Sequence, residues 1–586
     1  MRPILLFAIL VFSVACAASR PDDDVSLQTS VLVIGGGASG TPAAIQAARM
    51  GVRVIVVEQT PWLGGMLTTA AVSATDGNHL LPSGLWGEFR DSLYARYEGP
   101  GPLATGWVSN THFEPWVGAE ILANMVAAEH RIQVKHGYRV TAVHRTDGRV
   151  TGASFVNSRG ETLRINATVT IASDEYGDAV RLSGARNRYG FESRAEFGDA
   201  MAPEKAFPHV QDLTYVAILK DYGPGVDRTL PAPPGYDPSL FDHTCKELSS
   251  DPNRNVVHCG PESGKSMHML NYARLPGDHY LINWPIHGND SYVNFVEMTH
   301  EQRMAAFERA KDFTRAWIHH IQKERGYTNL GLVEGRFPTS DNFPPMPYIR
   351  ESRRIYGVET LTVRDLKDPY ADPSRPLYRQ GIAVGDYPLD LHHERKPDSL
   401  RVTVTTADLP KIPSYSVPYG TLIPETLDGF IAADKHISTT HIVNGSTRLQ
   451  PVVMGIGQAA GAAAALSVLQ GLEPRAVSVR HVQQILLDHN AWILPYADVT
   501  PADAEFQAIQ RVAAAGWMRG TGEPSAWANR TWFHPDRAVT DADIDLAVDQ
   551  LRLSGRTVRA QDLRDEMPMS RRMFATMLDT LYEPFE

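Results

Sequence analysis

Residues 31–58 read VLVIGGGASGTPAAIQAARMGVRVIVVE. An apolar strand, Val31–Ile34, enters the turn Gly35-Gly36-Gly37-Ala38-Ser39-Gly40. A helix of small residues follows, and a second apolar strand, Val52–Val57, ends on Glu58. Strand, glycine turn, helix, strand and acid in this order form a dinucleotide-binding βαβ unit. Gly35 permits the tight turn, Gly37 lets a pyrophosphate approach the backbone, and Gly40 lets the helix lie close to the strand. Ala38 and Ser39 lead into the helix N-terminus, whose free N–H groups and partial positive charge suit phosphate. Glu58 stands where a carboxylate accepts hydrogen bonds from a ribose, which disfavours a 2′-phosphate.

The next residues, Gln59-Thr60-Pro61-Trp62-Leu63-Gly64-Gly65-Met66, place a second glycine pair after that acid. This resembles the flavoprotein pattern rather than that of nicotinamide dehydrogenases, in which Gln59, Gly64, Gly65 and Met66 would fold back over an FAD cofactor. No second clear GxGxxG is present for NAD(P).

The 586 residues suffice for several domains, and the net charge of −11 argues against non-specific nucleic-acid binding. Arg2 followed by the apolar run Ile4–Ala15 reads as a secretory signal peptide, too short for a comfortable membrane span. Ser13-Val14-Ala15-Cys16 resembles a lipobox with Cys16 as the lipidated residue, although Ser13 stands where an aliphatic residue is usual. Ordinary cleavage near Ala17 or Ala18 is the other reading. Either way the protein is expected to be exported. Cys245 and Cys259 form a disulfide in an oxidising compartment or stand as two unrelated thiols. Three cysteines in all cannot supply an iron–sulfur cluster motif.

Along the chain, Trp116–His130 reads as a helix. Strands follow at Ile132–Val134, Arg139–Arg145, Arg149–Asn157 and Ala167–Asp174. Residues from about 190 to 410 are rich in Pro, Asp and aromatics and carry one long helix, about Thr299–Arg325. A short strand, Gly429–Ala433, leads to Asp434, His436 and His441. Gly455, Gly457, Gln458 and Gly461 then open an Ala-rich helix whose N-terminus would face the cofactor. The expected fold is α/β: a discontinuous Rossmann-like FAD-binding domain (28–190 and 411–480), an inserted β-rich substrate domain (191–410) and a small helical tail (490–586) behind a signal peptide (1–18).

The order of these motifs resembles the FAD-dependent oxidoreductase family of glutathione-reductase-like flavoproteins, distantly similar to the flavin subunit of heterodisulfide reductases. Gly35–Gly40, Leu63–Gly65, Ala172–Asp178 with Gly184, Gly190–Glu196, Tyr348–Arg354, Gly385–His393, Pro418–Pro424 and Gly455–Gly461 carry the resemblance. It covers about residues 30–475 and implies non-covalently bound FAD. Ser173 and Asp174 depart from the more usual Asp-Ala-Thr. The tail, with Phe506, Ile509 and Val512 at helical spacing, then Gly516, Gly520 and Phe533, resembles one S-layer-homology repeat. It would anchor the protein to the cell envelope or simply pack against the body.

The expected chemistry is hydride transfer from a small-molecule donor, such as a sugar or polyol, to FAD, with a histidine as base. His392 and His441 are the leading candidates, with His393 and His436 beside them, and Arg353 as an anion or flavin contact. The same residues also suit internal hydrogen bonds and Arg–Glu pairs. His287, Asp290 and Asp341 read as pocket contacts or turns. Histidine spacing suggests no metal. An electron-transfer flavoprotein with a protein partner, and a non-catalytic envelope-binding protein, remain the alternatives; the electron acceptor is not encoded legibly.

Overall fold

The computed structural model describes residues 26–245, 258–264, 266–284, 287–370, 377–393, 406–525 and 528–585. The signal-peptide reading and Cys16 therefore lie outside the described residues.

The glycine turn does what its sequence demands. β1 (Ser26–Ile34) runs into α1 (Gly40–Arg49), and β2 (Val54–Glu58) lies parallel beside β1. β3 (Ile132–His136) pairs parallel with β2, and β6 (Thr162–Ala172) with β1, giving the order β3-β2-β1-β6. β4 (Tyr138–Thr146) and β5 (Arg149–Asn157) continue it as an antiparallel meander onto the first half of β6. β7 (Phe430–Ala432) returns from far along the chain and pairs parallel with the last three residues of β6. The domain is thus discontinuous, as its sequence predicts. Buried on both faces, Val31–Ile34 of β1 and Val54–Val57 of β2 are continuous apolar runs rather than alternating ones.

Between the two halves lies a four-stranded antiparallel sheet, in the order Arg274–Leu275, His279–Ile282, Ala217–Asp221, Leu330–Leu332. α2 (His300–Glu324) is the long helix, started by a capping box between Thr299 and Gln302. Its Arg303 grips Asp178 at 2.7 and 3.0 Å, tying the insert to the residues that follow β6. A ribbon of Gly381–Gly385 with Tyr415–Pro418 joins residues on both sides of the boundary expected at 410.

α3 (His441–Thr447) and α4 (Gln450–Gln470) complete the cofactor domain. α4 begins at Gln450, five residues before Gly455, so the glycines lie inside the helix rather than opening it. Their task is close packing. A Cβ on Gly457 would lie 2.0 Å from the Ser39 carbonyl oxygen, and one on Gly461 would lie 2.2 Å from that of Ala43. α4 is long and apolar enough to cross a membrane, but 83% of its apolar window is buried inside the fold, as in a core helix.

The tail packs against the body. Trp492 N–H donates to Ser83 Oγ, and Asn529 N–H donates to the Asp386 carbonyl. Phe506, Ile509 and Val512 lie on the buried face of helix Phe506–Ala514. Cys245 and Cys259 are joined as a disulfide, Cα atoms 4.9 Å apart.

Candidate functional site

The cofactor end of the site follows from the turn between β1 and α1. Gly35 has φ +95°, and a Cβ there would strike the Ser173 carbonyl at 2.4 Å. A Cβ on Gly40 would lie 1.9 Å from the Gly35 carbonyl oxygen. Gly37 differs, since the nearest atom to its Cβ would be Glu175 Oε1 at 3.4 Å, with Asp434 Oδ2 at 3.8 Å. The protein itself does not need glycine at 37, so the position is open to a ligand. Asp434 faces this turn with φ +58° and a buried Oδ2 that has no hydrogen-bond partner among the described residues. Its N–H donates to Ser39 Oγ at 3.0 Å. A buried, unsatisfied carboxylate oxygen beside a bare glycine is what a ligand hydroxyl would satisfy.

Glu58 ends β2 beneath the turn. Its carboxylate accepts from Gly36 N–H at 2.7 Å and from Thr60 N–H and Oγ at 2.8 Å each. Burial nonetheless pushes its pKa up to about 7. One Oε2 lone pair stays free for a ribose hydroxyl. The Gly64–Gly65 loop folds back onto the turn. Gly64 N–H donates to the Gly36 carbonyl at 2.8 Å, and Met66 N–H donates to Glu175 Oε1 at 3.1 Å. Gln59, Glu58, Gly65 and Gly37 line a slit of about 30 Å³ with Arg139 and Tyr176, so a bound dinucleotide would part these walls. Ser173 Oγ donates to Ser39 Oγ at 3.1 Å, and the Asp174 carboxylate accepts the N–H groups of Asp178 and Ala179. The departure from Asp-Ala-Thr is therefore absorbed as a helix-start contact. These residues fit FAD: Gly35–Gly40 would hold the pyrophosphate, Glu58 the ribose, and Asp434 a hydroxyl near the turn.

A second constellation lies at the N-terminus of α4. His392 Nδ1 is 2.9 Å from Asp290 Oδ2, and its Nε2 is 3.0 Å from Asp390 Oδ2. Arg350 donates to Asp290 at 3.2 Å, and Arg448, the residue before Leu449 at the N-cap of α4, donates to Asp390 at 3.0 Å. Asp76 N–H donates to Gln450 Oε1 at 3.3 Å. Burial and the Arg350 charge push the His392 pKa down, but the two carboxylates outweigh them and hold it above its ordinary value. Burial likewise opposes ionisation of Asp290 and Asp390, yet Arg350 with His392, and His392 with Arg448, hold both carboxyls well below the usual range. Both ring nitrogens of His392 are thus engaged by carboxylates that favour its protonated form, and this geometry leaves no free lone pair for the base role expected of it.

The remaining candidates do structural work. His441 Nδ1 meets Glu351 Oε2 at 2.9 Å, and its Nε2 meets His393 Nε2 at 3.0 Å. Glu351 also pairs with Arg354, which donates to Glu192 at 2.6 Å. With both its ring nitrogens occupied in this buried ladder, His441 is not placed as a base either. His436 is held by Ser352, the Arg353 carbonyl and the Asp174 carbonyl. Arg353 pairs with Glu297 at 2.7 Å and Asn187 at 3.0 Å, the internal ion pair its segment also suggested. Gly455 faces Ala383, and Gln458 bridges Leu85 N–H and Gln46 Oε1, so Gly455, Gly457 and Gln458 brace α4 rather than front a cofactor. Asp341 holds Lys311 and Arg315.

Sequence reasoning missed Asp76 and the cleft beside it. This cleft of about 270 Å³ is lined by Thr75, Gly77, Trp107, Ser109, Asp386 and Tyr387, among others. Asp76 carries no motif. It reaches the cluster only because the Gly64–Asn78 segment crosses the start of α4.

The FAD dependent oxidoreductase family matches residues 30–486, and the chain belongs to that family. The family's cofactor, FAD, is the one these residues fit. Among solved structures, p-nitrophenol 4-monooxygenase PnpA from Pseudomonas putida DLL-E4 is 14% identical, over 34% of this chain and 49% of its own, with TM-score 0.23. The flavin-dependent monooxygenase PieE, solved with FAD and substrate, is 13% identical over 34% of this chain and 36% of its own, with TM-score 0.24. The myxobacterial chondrochloren halogenase CndH is 11% identical over 83% of this chain and 80% of its own, with TM-score 0.33. The chain spans about half of the first of these relatives and about a third of the second.

Proposed function

We propose that this oxidoreductase oxidises a neutral, polyhydroxylated small molecule, a sugar or polyol, at the charge cluster beside the N-terminus of α4. The balance of charge in that cluster carries the reading. Asp290 and Asp390 pair with Arg350, Arg448 and His392, and Asp76, pushed up to about 7, adds a carboxyl only partly ionised near neutrality, so the cluster has little charge left over for a ligand. A donor bearing a further charge would be buried without a counter-ion, which costs several kcal/mol or more. A hydroxylated donor needs only hydrogen bonds. The adjoining cleft suits one, since Trp107 offers an aromatic wall and Ser109, Asn110, Thr111 and Asp386 offer polar atoms.

When bound, FAD supplies the two-electron acceptor. The chain's residues do the rest. The partial positive charge at the start of α4 favours negative charge developing beside it. Arg350 and Arg448 hold Asp290 and Asp390, which in turn hold the His392 ring still. Trp107 packs edge-on against Tyr272 and Trp284, ring centroids 5.0 and 5.9 Å apart, keeping one wall apolar.

Export is part of the same proposal. The Cys245–Cys259 disulfide supports it, because such bonds persist in oxidising compartments. The functional reading is tested by mixing the FAD-loaded protein anaerobically with sugars, polyols and amines. Bleaching of oxidised flavin by hydroxylated donors alone is expected. Bleaching by amines alone would replace the donor class.

A further inference from the structure

We infer that Asp76 is the group that accepts the hydroxyl proton of the donor. The inference rests on the hydroxylated-donor reading above. Asp76 sits between Thr75 and Gly77, both lining the cleft, while its backbone is tied to the first residue of α4. Its two neighbours line the cleft, while its own carboxyl lies among Arg448, Asp390, His392 and Arg350 of the charge cluster.

The other carboxylates of the cluster and its histidine are engaged by charged partners. His392 has a carboxylate on each nitrogen. Asp290 accepts from Thr214, Arg350 and His392, and Asp390 from Thr406, His392 and Arg448. Asp386 Oδ1 accepts Asn78 N–H at 2.6 Å. Asp76 alone of the cluster's carboxylates keeps a buried oxygen, Oδ1, without a hydrogen-bond partner among the described residues.

The groups that set its charge are Arg448 before α4, Asp390 and His392 from the 385–393 segment, and Arg350 from the 348–354 segment. Tyr272 and Tyr387 face it as well. Burial wins over these neighbours and pushes Asp76 up to about 7, so near neutrality it is both partly ionised and basic enough to take a proton. In the step, the donor O–H bond breaks and its proton passes to Asp76. Bound FAD would supply the two-electron acceptor for the hydrogen on the same carbon, and the carbon–oxygen bond would become double. Asp76 then returns its proton to solvent.

The test compares wild type, Asp76→Asn and Asp76→Glu, each checked for bound FAD. Glucose and sorbitol serve as donors in anaerobic stopped flow across pH, and carboxyl titration is followed by difference infrared spectroscopy without donor. In wild type the reduction rate is expected to rise with pH through about 7. Asp76→Asn should keep its FAD, lose that limb and slow by roughly 10²–10⁴-fold. Asp76→Glu should restore part of the rate and the limb. The carboxyl titrating near neutrality should lose one component in the Asn variant. Reduction of Asp76→Asn at the wild-type rate with the limb intact, or an unchanged infrared titration, would overturn the assignment. If neither donor reduces wild type, the hydroxylated-donor reading falls, and the assignment with it.

Discussion

Asp390 Oδ2 and His392 Nε2, two residues apart on one segment, lie 3.0 Å from each other, while the opposite ring nitrogen meets Asp290. An imidazole clamped this way holds its proton, and its charge holds the site together.

Removing that charge should cost stability. His392→Ala leaves Asp290 and Asp390 facing each other across a buried space, a loss of about 3–5 kcal/mol for breaking such a pair. The folded pKa of His392 is raised above its ordinary 6.5. Its contribution is therefore fully present below that value and is lost as pH rises through the folded pKa. Urea melts of wild type and variant should differ most at acid-to-neutral pH and converge at alkaline pH. A gap that widens with pH would contradict the imidazolium.

The glycines of the turn should separate into two classes. Gly35→Ala meets a positive φ and a backbone oxygen at 2.4 Å, so it should lower the melting temperature with or without cofactor. Gly37→Val puts its side chain into the space between Glu175 and Asp434, which the protein leaves open. It should remove FAD while the apoprotein melts near the wild-type temperature. Stoichiometric flavin in purified Gly37→Val would refute the cradle.

Glu58 makes FAD binding pH-dependent. In the ligand-free fold its carboxyl is pushed up to about 7, and ribose hydroxyls donate to the ionised form. Below that pH, binding must first release a proton, so the apparent affinity should weaken by up to about tenfold per pH unit. Glu58→Gln should bind more weakly and with little pH dependence. Isothermal titration of apoprotein with FAD at several pH values reads both.

The sequence made the cofactor half of this site legible for a physical reason. Tight turns and close backbone contacts exclude all but glycine, so Gly35 and Gly40 announce themselves, and β2 must end on an acid such as Glu58. Gly457 and Gly461 were legible as small residues but not in their role, because a helix packed on another helix and a helix facing a ligand demand the same bare backbone. The donor half was hidden. Asp76, Asp290, Asp390, Arg350 and Arg448 come from five separated segments, and no spacing rule joins them. Adjacent histidines at 392 and 393 drew notice, yet which held a proton depended on carboxylates that only the fold brings near.

The helix contact gives its own prediction. Gly457→Ala and Gly461→Ala each drive a methyl to about 2 Å from an α1 carbonyl, so each should destabilise the fold by roughly 1–3 kcal/mol. Because α1 carries the phosphate-facing N-terminus, FAD retention should fall along with the melting temperature. Retention unchanged despite lower stability would separate helix packing from cofactor binding.

The most direct test of the central claim is the anaerobic reduction of the FAD-loaded protein by glucose, gluconate and glucosamine, which share a carbon skeleton and differ in charge. A balanced cluster that accepts neutral hydroxylated donors predicts bleaching by glucose and little by either charged relative. Faster bleaching by gluconate or glucosamine, or a flavin that none of them reduces, would contradict it.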